Sequence, residues 1–348
     1  MFNQTFEIDG RKIGEGCEPY IIAEMSANHG NNLDTAIEII KEAKKVGADA
    51  VKIQTYTADT LTLNCPTPAF EAKGAWEGQY LYDLYLDASM PWEWTPILQK
   101  VAEEIGITLF SSPFDVSSIE FLEALNMPAY KIASPEIIDL PFVRRVAQTG
   151  KPIIMSTGGA TLSQIGDAVA IMVEENVQDL AILKCTSEYP APPENIHLKT
   201  IPNLKEIFKC PIGLSDHTLG SAIPIASVAL GCSIIEKHFI VNRNDTTADS
   251  FFSATPDELK VIVDGSKLVY KALGSINYPL VPPKPQRSLI AIADIQKGEP
   301  LINAKNIKSL RPGGGIEPKY IDKVVNRKAQ QEIKFGTLLQ WSMVGERL

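Results

Sequence analysis

Gly213-Leu214-Ser215-Asp216-His217 and, a helix-length interval later, Ile235-Glu236-Lys237-His238 decide how this chain is read. Each is a short apolar run that closes on a histidine, in a chain with four histidines in all. Read as strands, period two puts Ser215 with His217 on one face and Glu236 with His238 on one face. Two neighbouring strands would then offer two imidazoles to one point. Imidazole is a common ligand for Zn, Mn, Fe or Co, so the pair is a candidate divalent-metal site completed by water or substrate. Two ligands are a short signature, however, and two buried, hydrogen-bonded histidines would leave the same pattern.

Working outward, the strand-then-helix rhythm around these runs repeats along the chain. Tyr20-Ile21-Ile22-Ala23-Glu24-Met25 reads as a buried strand, and Asn32 to Lys45 carries Leu33, Ala36, Ile37, Ile39 and Ile40 at helical spacing. Gly47 ends that helix and Ala50-Val51-Lys52-Ile53-Gln54 opens the next strand. Further strands are expected at 107–111, 129–133, 153–156, 181–185, 211–215 and 233–238, with helices near 92–105, 116–125, 139–149, 162–176, 198–208 and 219–230. A last helix opens at Thr255-Pro256-Asp257-Glu258, where Thr caps, Pro takes the first helical position and Glu closes a capping box. Eight strands, each followed by a helix, predict an α/β fold of the (β/α)8 TIM-barrel type.

Residues 5 to 18 alternate around Asp9-Gly10, a two-residue hairpin signal, so a small hairpin precedes the barrel. The barrel domain with this hairpin is assigned residues 1–275. Residues 276–287, with Pro279, Pro282, Pro283 and Pro285, form a stiff linker. Residues 288–348 change character to short β-prone pieces, among them 289–292 and 338–341, separated by Lys297-Gly298 and Phe335-Gly336 turns. So small a piece is expected to lean on the barrel or on a second subunit. One interval, Thr57 to Met90, breaks the rhythm with an aromatic-rich stretch through Trp76, Tyr80, Tyr82 and Tyr85. Such loops shape substrate pockets at the C-terminal face of barrels, or simply pack on the rim.

Composition excludes several classes. A net charge of -9 and a pI near 5.1 argue against nucleic-acid partners, and any anionic ligand must be held by a local basic cluster. The five cysteines are scattered and lack CxxC spacing, which fits a reducing cytoplasm. No signal segment opens the chain and no long apolar run occurs, so no membrane partner is expected. No P-loop or GxGxxG stands between a strand and a helix.

In a (β/α)8 barrel the reactive groups sit at the C-terminal strand ends. Here those ends carry Glu24; Lys52 with Gln54; Ser111 with Ser112; Lys131 with Ser134 and Glu136; Ser156 with Thr157; Thr186 with Ser187 and Tyr189; Ser215 with His217; and Glu236 with His238. An unpaired buried ammonium is costly, so Lys52 and Lys131 amid hydroxyls predict a phosphate or carboxylate pocket, ion-paired or snorkelling lysines being the alternative. Beside two histidines, such a pocket suggests a phosphorylated or carboxylated small substrate and a metal acting as a Lewis acid. His29 and His197 fall in loops and receive no role.

Ile22-Ala23-Glu24, Asn28-His29-Gly30, Val51-Lys52-Ile53-Gln54, Ser112-Pro113-Phe114, Lys131-Ile132-Ala133-Ser134, Ser156-Thr157-Gly158, Cys185-Thr186-Ser187-Glu188-Tyr189-Pro190, Gly213 to His217, Glu236-Lys237-His238-Phe239 and Ala248-Asp249-Ser250 resemble, in order and spacing, the sialic acid synthase family. The likeness covers almost the whole barrel. Arg311-Pro312-Gly313-Gly314-Gly315 is similar to the Arg-Pro-Gly motif of that family's antifreeze-like SAF (β-clip) domain. Trp76-Glu77-Gly78, Leu81-Tyr82-Asp83-Leu84-Tyr85 and Pro91-Trp92-Glu93-Trp94 look most like the branch that makes pseudaminic acid. Ser187 departs from the Asn usual in sialic acid synthases proper, which bears on the identity of the sugar rather than on the reaction.

The resemblance implies condensation of phosphoenolpyruvate (PEP) with an acetamido sugar aldehyde, releasing phosphate and giving a nine-carbon 2-keto acid. It implies that His217 and His238 hold a divalent metal ion, Mn2+ first with Mg2+ or Co2+ as alternatives. Lys52, Ser112, Lys131, Ser134, Ser156 and Ser215 would bind PEP; Gln54, Tyr189, Asp249 and Arg311 would contact the sugar, Arg311 arriving from the partner of a domain-swapped homodimer. Glu24 and Glu136 are the acid/base pair, their division of labour open. Pseudaminic acid is the expected product, from a 2,4-diacetamido-2,4,6-trideoxy hexose, with N-acetylneuraminate or legionaminate as alternatives. A metal-dependent pyruvate aldolase is the competing enzyme reading, and a carbohydrate- or ice-binding protein centred on 288–348 the non-catalytic one.

Overall fold

Asp9 and Gly10 both take positive φ, 50° and 76°, the conformation that a two-residue hairpin turn demands. The chain reverses there between β1 (Thr5–Ile8) and β2 (Arg11–Gly14), an antiparallel pair with Phe6 opposite Ile13. Residues 2–278 and 285–348 are described by a computed structural model; Pro279, Pro282 and Pro283 of the expected linker lie outside the described residues. The chain divides into two compact units, Met1–Gly274 and Ser275–Leu348.

After the hairpin come eight parallel strands: β3 (Tyr20–Glu24), β4 (Ala50–Thr55), β5 (Thr108–Pro113), β6 (Tyr130–Ile132), β7 (Ile153–Ser156), β8 (Leu180–Cys185), β9 (Ile212–Asp216) and β10 (Ile234–His238). They close into a barrel in chain order, with β10 returning to β3, which is the expected TIM-barrel topology. The outer layer holds α1 (Leu33–Val46), α4 (Thr95–Ile105), α5 (Val116–Ala124), α6 (Leu140–Ala147), α7 (Leu162–Glu174), α8 (Thr200–Phe208), α9 (Ala222–Val228) and α10 (Pro256–Leu273). Two short helices absent from the sequence reading, α2 (Ala58–Leu61) and α3 (Leu81–Ala88), lie in the aromatic-rich interval. The helix expected over 219–230 is shorter at both ends, because 218–221 is spent on a turn and a cap. α1 starts one residue late for a clear reason: the Asn32 side chain accepts from the backbone N–H of Asp34 and Thr35, so Asn32 is the cap and not the first turn.

Alternation along the strands builds two cores. Outward-facing Ile21, Val51, Leu109, Ile153, Ile182 and Leu214 join the helices in one large cluster. Inward-facing Tyr20, Ile22, Phe110, Ile154, Leu183 and Ile234 fill the barrel's N-terminal half together with Phe6, Ile8 and Ile13 of the hairpin, which plugs that end. Gly213 is required here, since a Cβ would lie 2.4 Å from Leu183 Cδ2 and 2.5 Å from the Ile234 carbonyl oxygen. Above this apolar plug the inward positions turn polar, and the functional residues begin.

One ion pair stiffens the last two strands from outside. Asp216 and Lys237 are register partners on β9 and β10, and Lys237 Nζ reaches Asp216 Oδ2 at 2.6 Å and also the Thr218 carbonyl. Thr218 Oγ1 donates to the Asp216 carboxylate at 3.0 Å. Both charges are buried, and each sits next in sequence to a site histidine.

The C-terminal unit is built from two antiparallel pairs, β11 (Ser288–Ala291) with β12 (Ile307–Leu310) and β13 (Arg327–Ala329) with β14 (Val344–Arg347). Leu289, Ile295, Leu301, Ile307, Ile333 and Leu339 form its own small core. The β-prone piece at 338–341 is no strand: Leu338 makes a single bridge to Ile290, and Trp341 begins a 3-10 turn.

Removing one partner of a buried ion pair strands the other, so Lys237→Met is expected to cost about 3–5 kcal/mol in urea denaturation. The double variant Asp216→Leu/Lys237→Met should recover most of that loss. Equal losses in the single and double variants would show that the pair is not the source of the stability.

Candidate active site

Strand register assembles the site. It sets Glu24 of β3 between His238 of β10 and Lys52 of β4, Gln54 beside Ser112 of β5, and Ser215 of β9 beside Glu236 of β10. The side chains follow. Lys52 Nζ lies 2.6 Å from Glu24 Oε2 and donates to Ser112 Oγ at 3.1 Å. Lys131 Nζ donates to both oxygens of Glu236, at 2.8 and 3.1 Å, and Ser215 Oγ donates to Glu236 Oε1 at 2.9 Å. Glu236 Oε2 is 3.9 Å from Lys52, so one carboxylate is shared by both lysines.

All four charges are buried. Burial alone would raise the Glu236 carboxyl, but Lys131 and Lys52 outweigh it and hold it down at about 2. Burial likewise opposes the Lys52 ammonium, and Glu236 with Glu24 more than restores it. Lys131 has a single close counter-ion and lies near Lys52, so burial prevails and its pKa falls. Glu136 stands apart: burial pushes its carboxyl up to about 7, and its Oε2 has no hydrogen-bond partner.

Ser156 Oγ is likewise buried without a partner, at the end of β7. Ser134 Oγ accepts the Gly158 backbone N–H at 2.9 Å. A Cβ on Gly158 would sit 2.8 Å from that oxygen and 2.1 Å from Ser187 Oγ, so only glycine lets this loop approach. The lysines and the unpartnered Ser156 hydroxyl are groups of the kind that suit a multiply charged oxyanion.

His217 Nδ1 lies 2.8 Å from the Thr186 carbonyl oxygen, to which only an N–H can bond, so Nε2 carries the free lone pair. Burial opposes protonation of His217, but Cys185 at 4.0 Å and the Thr186 carbonyl raise its pKa overall. The His238 ring centroid is 5.3 Å away, and its Nδ1 faces Asp249 Oδ2 at 3.5 Å. Burial works against the charge on Asp249, and His238, Ser26 and the Ala27 N–H hold its pKa low. The donor set suits a divalent ion, with a carboxylate behind one imidazole and a carbonyl behind the other. Among the described residues no third His, Cys, Asp or Glu joins the pair, so water or substrate would supply the remaining ligands.

Above these groups opens a cleft of about 400 Å³ whose lining includes Ser26, Gln54, Tyr189, His238 and Asp249. Gln54 Nε2 donates to Glu24 Oε1 at 2.8 Å and to Ser26 Oγ at 3.0 Å. Tyr189 packs over His217, ring centroids 4.4 Å apart. A larger depression of about 550 Å³, lined by Asp9, Gly106, Asn126 and Lys151, lies at the opposite, N-terminal end of the barrel and holds none of these groups.

The barrel mouth thus gathers Glu24, Lys52, Gln54, Ser112, Lys131, Ser134, Glu136, Ser156, Tyr189, Ser215, His217, His238 and Asp249. Arg311 lies in the C-terminal unit, exposed, directly after β12. Glu236, at the centre of the charge cluster, is the residue that sequence reasoning left without a role. Its alternation with His238 was the available signal, but nothing in one sequence says that two distant lysines meet it. His29 sits in a loop as expected yet is buried, its ring 5.8 Å from Trp94, and burial pushes its pKa down to about 4.

A closed (β/α)8 barrel with two buried lysines, several hydroxyls and two histidines gathered at its C-terminal mouth has the arrangement of an enzyme active site. The NeuB family matches residues 39–278 and the SAF domain residues 286–345. A pseudaminic acid synthase of Campylobacter jejuni is 45% identical, over 92% of this chain and 95% of its own length. An N,N'-diacetyllegionaminic acid synthase of Legionella pneumophila is 33% identical, over 95% and 96%. The crystal structure of an N-acetylneuraminic acid (sialic acid) synthetase from Leptospira borgpetersenii superposes with a TM-score of 0.72 at 31% identity, covering 80% of this chain and 93% of that one. The chain belongs to the NeuB family and carries a C-terminal SAF domain.

Glu136 gives a pH test. Its folded pKa lies above the ordinary 4.5, so between 4.5 and about 7 the folded protein keeps a proton that the unfolded chain has released. Stability therefore falls as pH rises through that window. Glu136→Gln should gain on the wild type between pH 5 and pH 8, by up to about 3 kcal/mol in urea titrations. An equal difference at both pH values would show that this carboxyl does not titrate there.

Proposed function

We propose that the protein condenses PEP with a 2,4-diacetamido-2,4,6-trideoxy hexose to give pseudaminic acid and phosphate. One observation carries the reading: two buried lysines held by Glu24 and Glu236 lie at the same barrel mouth as a pair of histidines whose rings are 5.3 Å apart, in a chain that aligns over nearly its full length with a pseudaminic acid synthase. The higher identity to that relative than to the legionaminic acid enzyme favours pseudaminic acid over the alternatives.

In this reading Lys52, Lys131, Ser112, Ser134, Ser156 and Ser215 bind the phosphate and carboxylate of PEP, displacing part of the hold that Glu24 and Glu236 have on the lysines. Gln54, Tyr189 and Asp249 orient the sugar. C3 of PEP bonds to the aldehyde carbon, water adds to the C2 cation, and the C–O bond to phosphate breaks to leave the ketone. The aldehyde oxygen gains a proton and the water loses its protons. Glu136, poised near neutral pH, is suited to the water, and Glu24, between Lys52 and Gln54, to the aldehyde oxygen. His217 and His238 would hold Mn2+, or Mg2+ or Co2+, which when bound polarises the aldehyde.

A homodimer in which the partner's C-terminal unit supplies Arg311 to the sugar is part of the proposal. Leu63, Leu86, Ile138, Leu219 and Phe251, 44 to 67% exposed in the segments that follow barrel strands, support a surface that something covers. The site of action is proposed to be the cytoplasm, where PEP is made; no helix among the described residues is long and apolar enough to cross a membrane.

Incubation with PEP and a panel of acetamido sugars, with Mn2+ or with EDTA, should release phosphate with the diacetamido trideoxy hexose and lose it with EDTA. Absence of phosphate from every sugar, or turnover of pyruvate alone, would overturn the reading. Arg311→Ala should raise the sugar KM by about tenfold or more while sparing the KM for PEP. Unchanged sugar kinetics would remove Arg311 from the site.

A further inference from the structure

The cleft above the barrel has two chemistries. Its floor, toward β3, β4 and β10, presents Ser26, Gln54, His238 and Asp249; its walls present Tyr56, Trp76, Leu81, Leu84, Tyr85 and Phe114. Tyr56 is pinned from behind, because Trp92 Nε1 donates to its carbonyl at 3.2 Å, and its ring meets Phe114 and Tyr85 at 5.2 and 6.1 Å. Across the lining, Trp76 stands 5.3 Å from Tyr189. Trp76 has one polar hydrogen and donates it to the Ala248 carbonyl at 3.0 Å, so all it offers a ligand is its apolar ring. Leu81, Leu84 and Ala88 on α3 have nothing polar to offer. Trp76, Leu84 and Tyr85 are half-buried and line the cleft, Trp76 and Leu84 also bordering a neighbouring pocket with Gln79 and Asp87.

A molecule that fills this cleft therefore meets hydrogen-bonding groups at one end and aromatic and aliphatic faces at the other. An ordinary hexose carries a hydroxyl on nearly every carbon, and a hydroxyl pressed on the walls loses water without gaining a partner. Methyl groups suffer no such loss and gain by burial. The remote end of an acetamido sugar has two kinds of methyl to offer, on the acyl groups and on a deoxygenated terminal carbon.

Resting on the synthase reading, we propose that the 72–88 segment selects the sugar through Trp76, Leu84 and Tyr85 by its methyl groups, favouring a deoxygenated, N-acylated hexose over one with a hydroxymethyl at that end. Lys73 is exposed at the rim, while the Tyr56 and Tyr85 hydroxyls are buried toward the carboxylates of the floor, near Asp249 and Glu136, and leave their ring faces to the walls. The selection is accordingly by apolar contact. A pocket of that kind discriminates by about 10- to 100-fold for one hydroxyl.

The test uses the full-length protein with PEP, Mn2+ and two probes, the 2,4-diacetamido-2,4,6-trideoxy hexose and its 6-hydroxy counterpart. The wild type should favour the deoxy sugar in kcat/KM. Trp76→Ala and Leu84→Gln should lower that ratio by about tenfold or more, through the sugar KM, with the KM for PEP within about threefold of wild type. Trp76→Phe, which keeps an aromatic face and gives up the bond to Ala248, should retain the preference. A ratio unmoved by Trp76→Ala and Leu84→Gln, or a Trp76→Phe as indiscriminate as Trp76→Ala, would overturn the proposal, the latter by making the loop tether the cause. Saturation-transfer NMR on the PEP-loaded protein reads the contact without turnover: saturation of aromatic protons should reach the C6 and acetyl methyls, and a bound sugar with silent methyls would overturn the inference. A wild type that turns over neither sugar, and binds neither, fails the synthase reading itself.

Discussion

One buried carboxylate, Glu236, is held by two ammonium groups, Lys52 and Lys131, and by the hydroxyl of Ser215. Four charges taken out of water are tolerable only if each meets its partner at close range, because desolvation rivals the Coulomb gain. The barrel guarantees this by register. Residues two apart on adjoining strands face the same interior, and closure of β10 on β3 brings Glu24 and Glu236 to the lysines of β4 and β6. Two ammoniums and two carboxylates balance one another, so the buried cluster needs no further ion to hold it together. The β1–β2 hairpin closes the other end with Phe6, Ile8 and Ile13, so a ligand has access to these charges from the C-terminal mouth.

Much of this was legible in the sequence, for a definite reason. Period-two alternation is local, and it turns Glu24, Lys52 and Lys131 inward, since their apolar neighbours Ala23, Val51, Ile53, Tyr130 and Ile132 pack against the helices. Pairing is not local. The sequence reading contrasts an anion pocket with ion-paired lysines as alternatives, and the structure shows the lysines paired with Glu24 and Glu236, with the Ser112 hydroxyl against Lys52. Glu236 received no role for that reason, although it stands two residues from a histidine that did. The aromatic-rich interval was readable as a rim or a pocket wall; α3 turns Leu84 and Tyr85 into the cleft, while Trp92 packs on Phe121, ring centroids 5.0 Å apart, so its residues divide between the two.

The histidine pair owes its shape to groups that never touch a ligand. The Thr186 carbonyl fixes the tautomer of His217, and Asp216 with Lys237 ties the backbone on either side of the pair. Asp249 faces His238 from a loop that is itself fastened: Asn28, fully buried, donates to the Phe239 carbonyl at 3.0 Å and to Ser253 Oγ at 2.8 Å, and accepts from Thr247 Oγ1 at 2.7 Å. A single asparagine after β3 thus holds both ends of the loop after β10. That arrangement explains why an Asn-His-Gly turn far from the reacting groups belongs with them in sequence. Two imidazoles alone would grip an ion weakly, so any metal bound there would depend on their being held in advance by these neighbours. The rigidity comes from one buried amide, one carbonyl and one ion pair, and the cleft above is left free to vary in its walls without disturbing the chemistry of its floor.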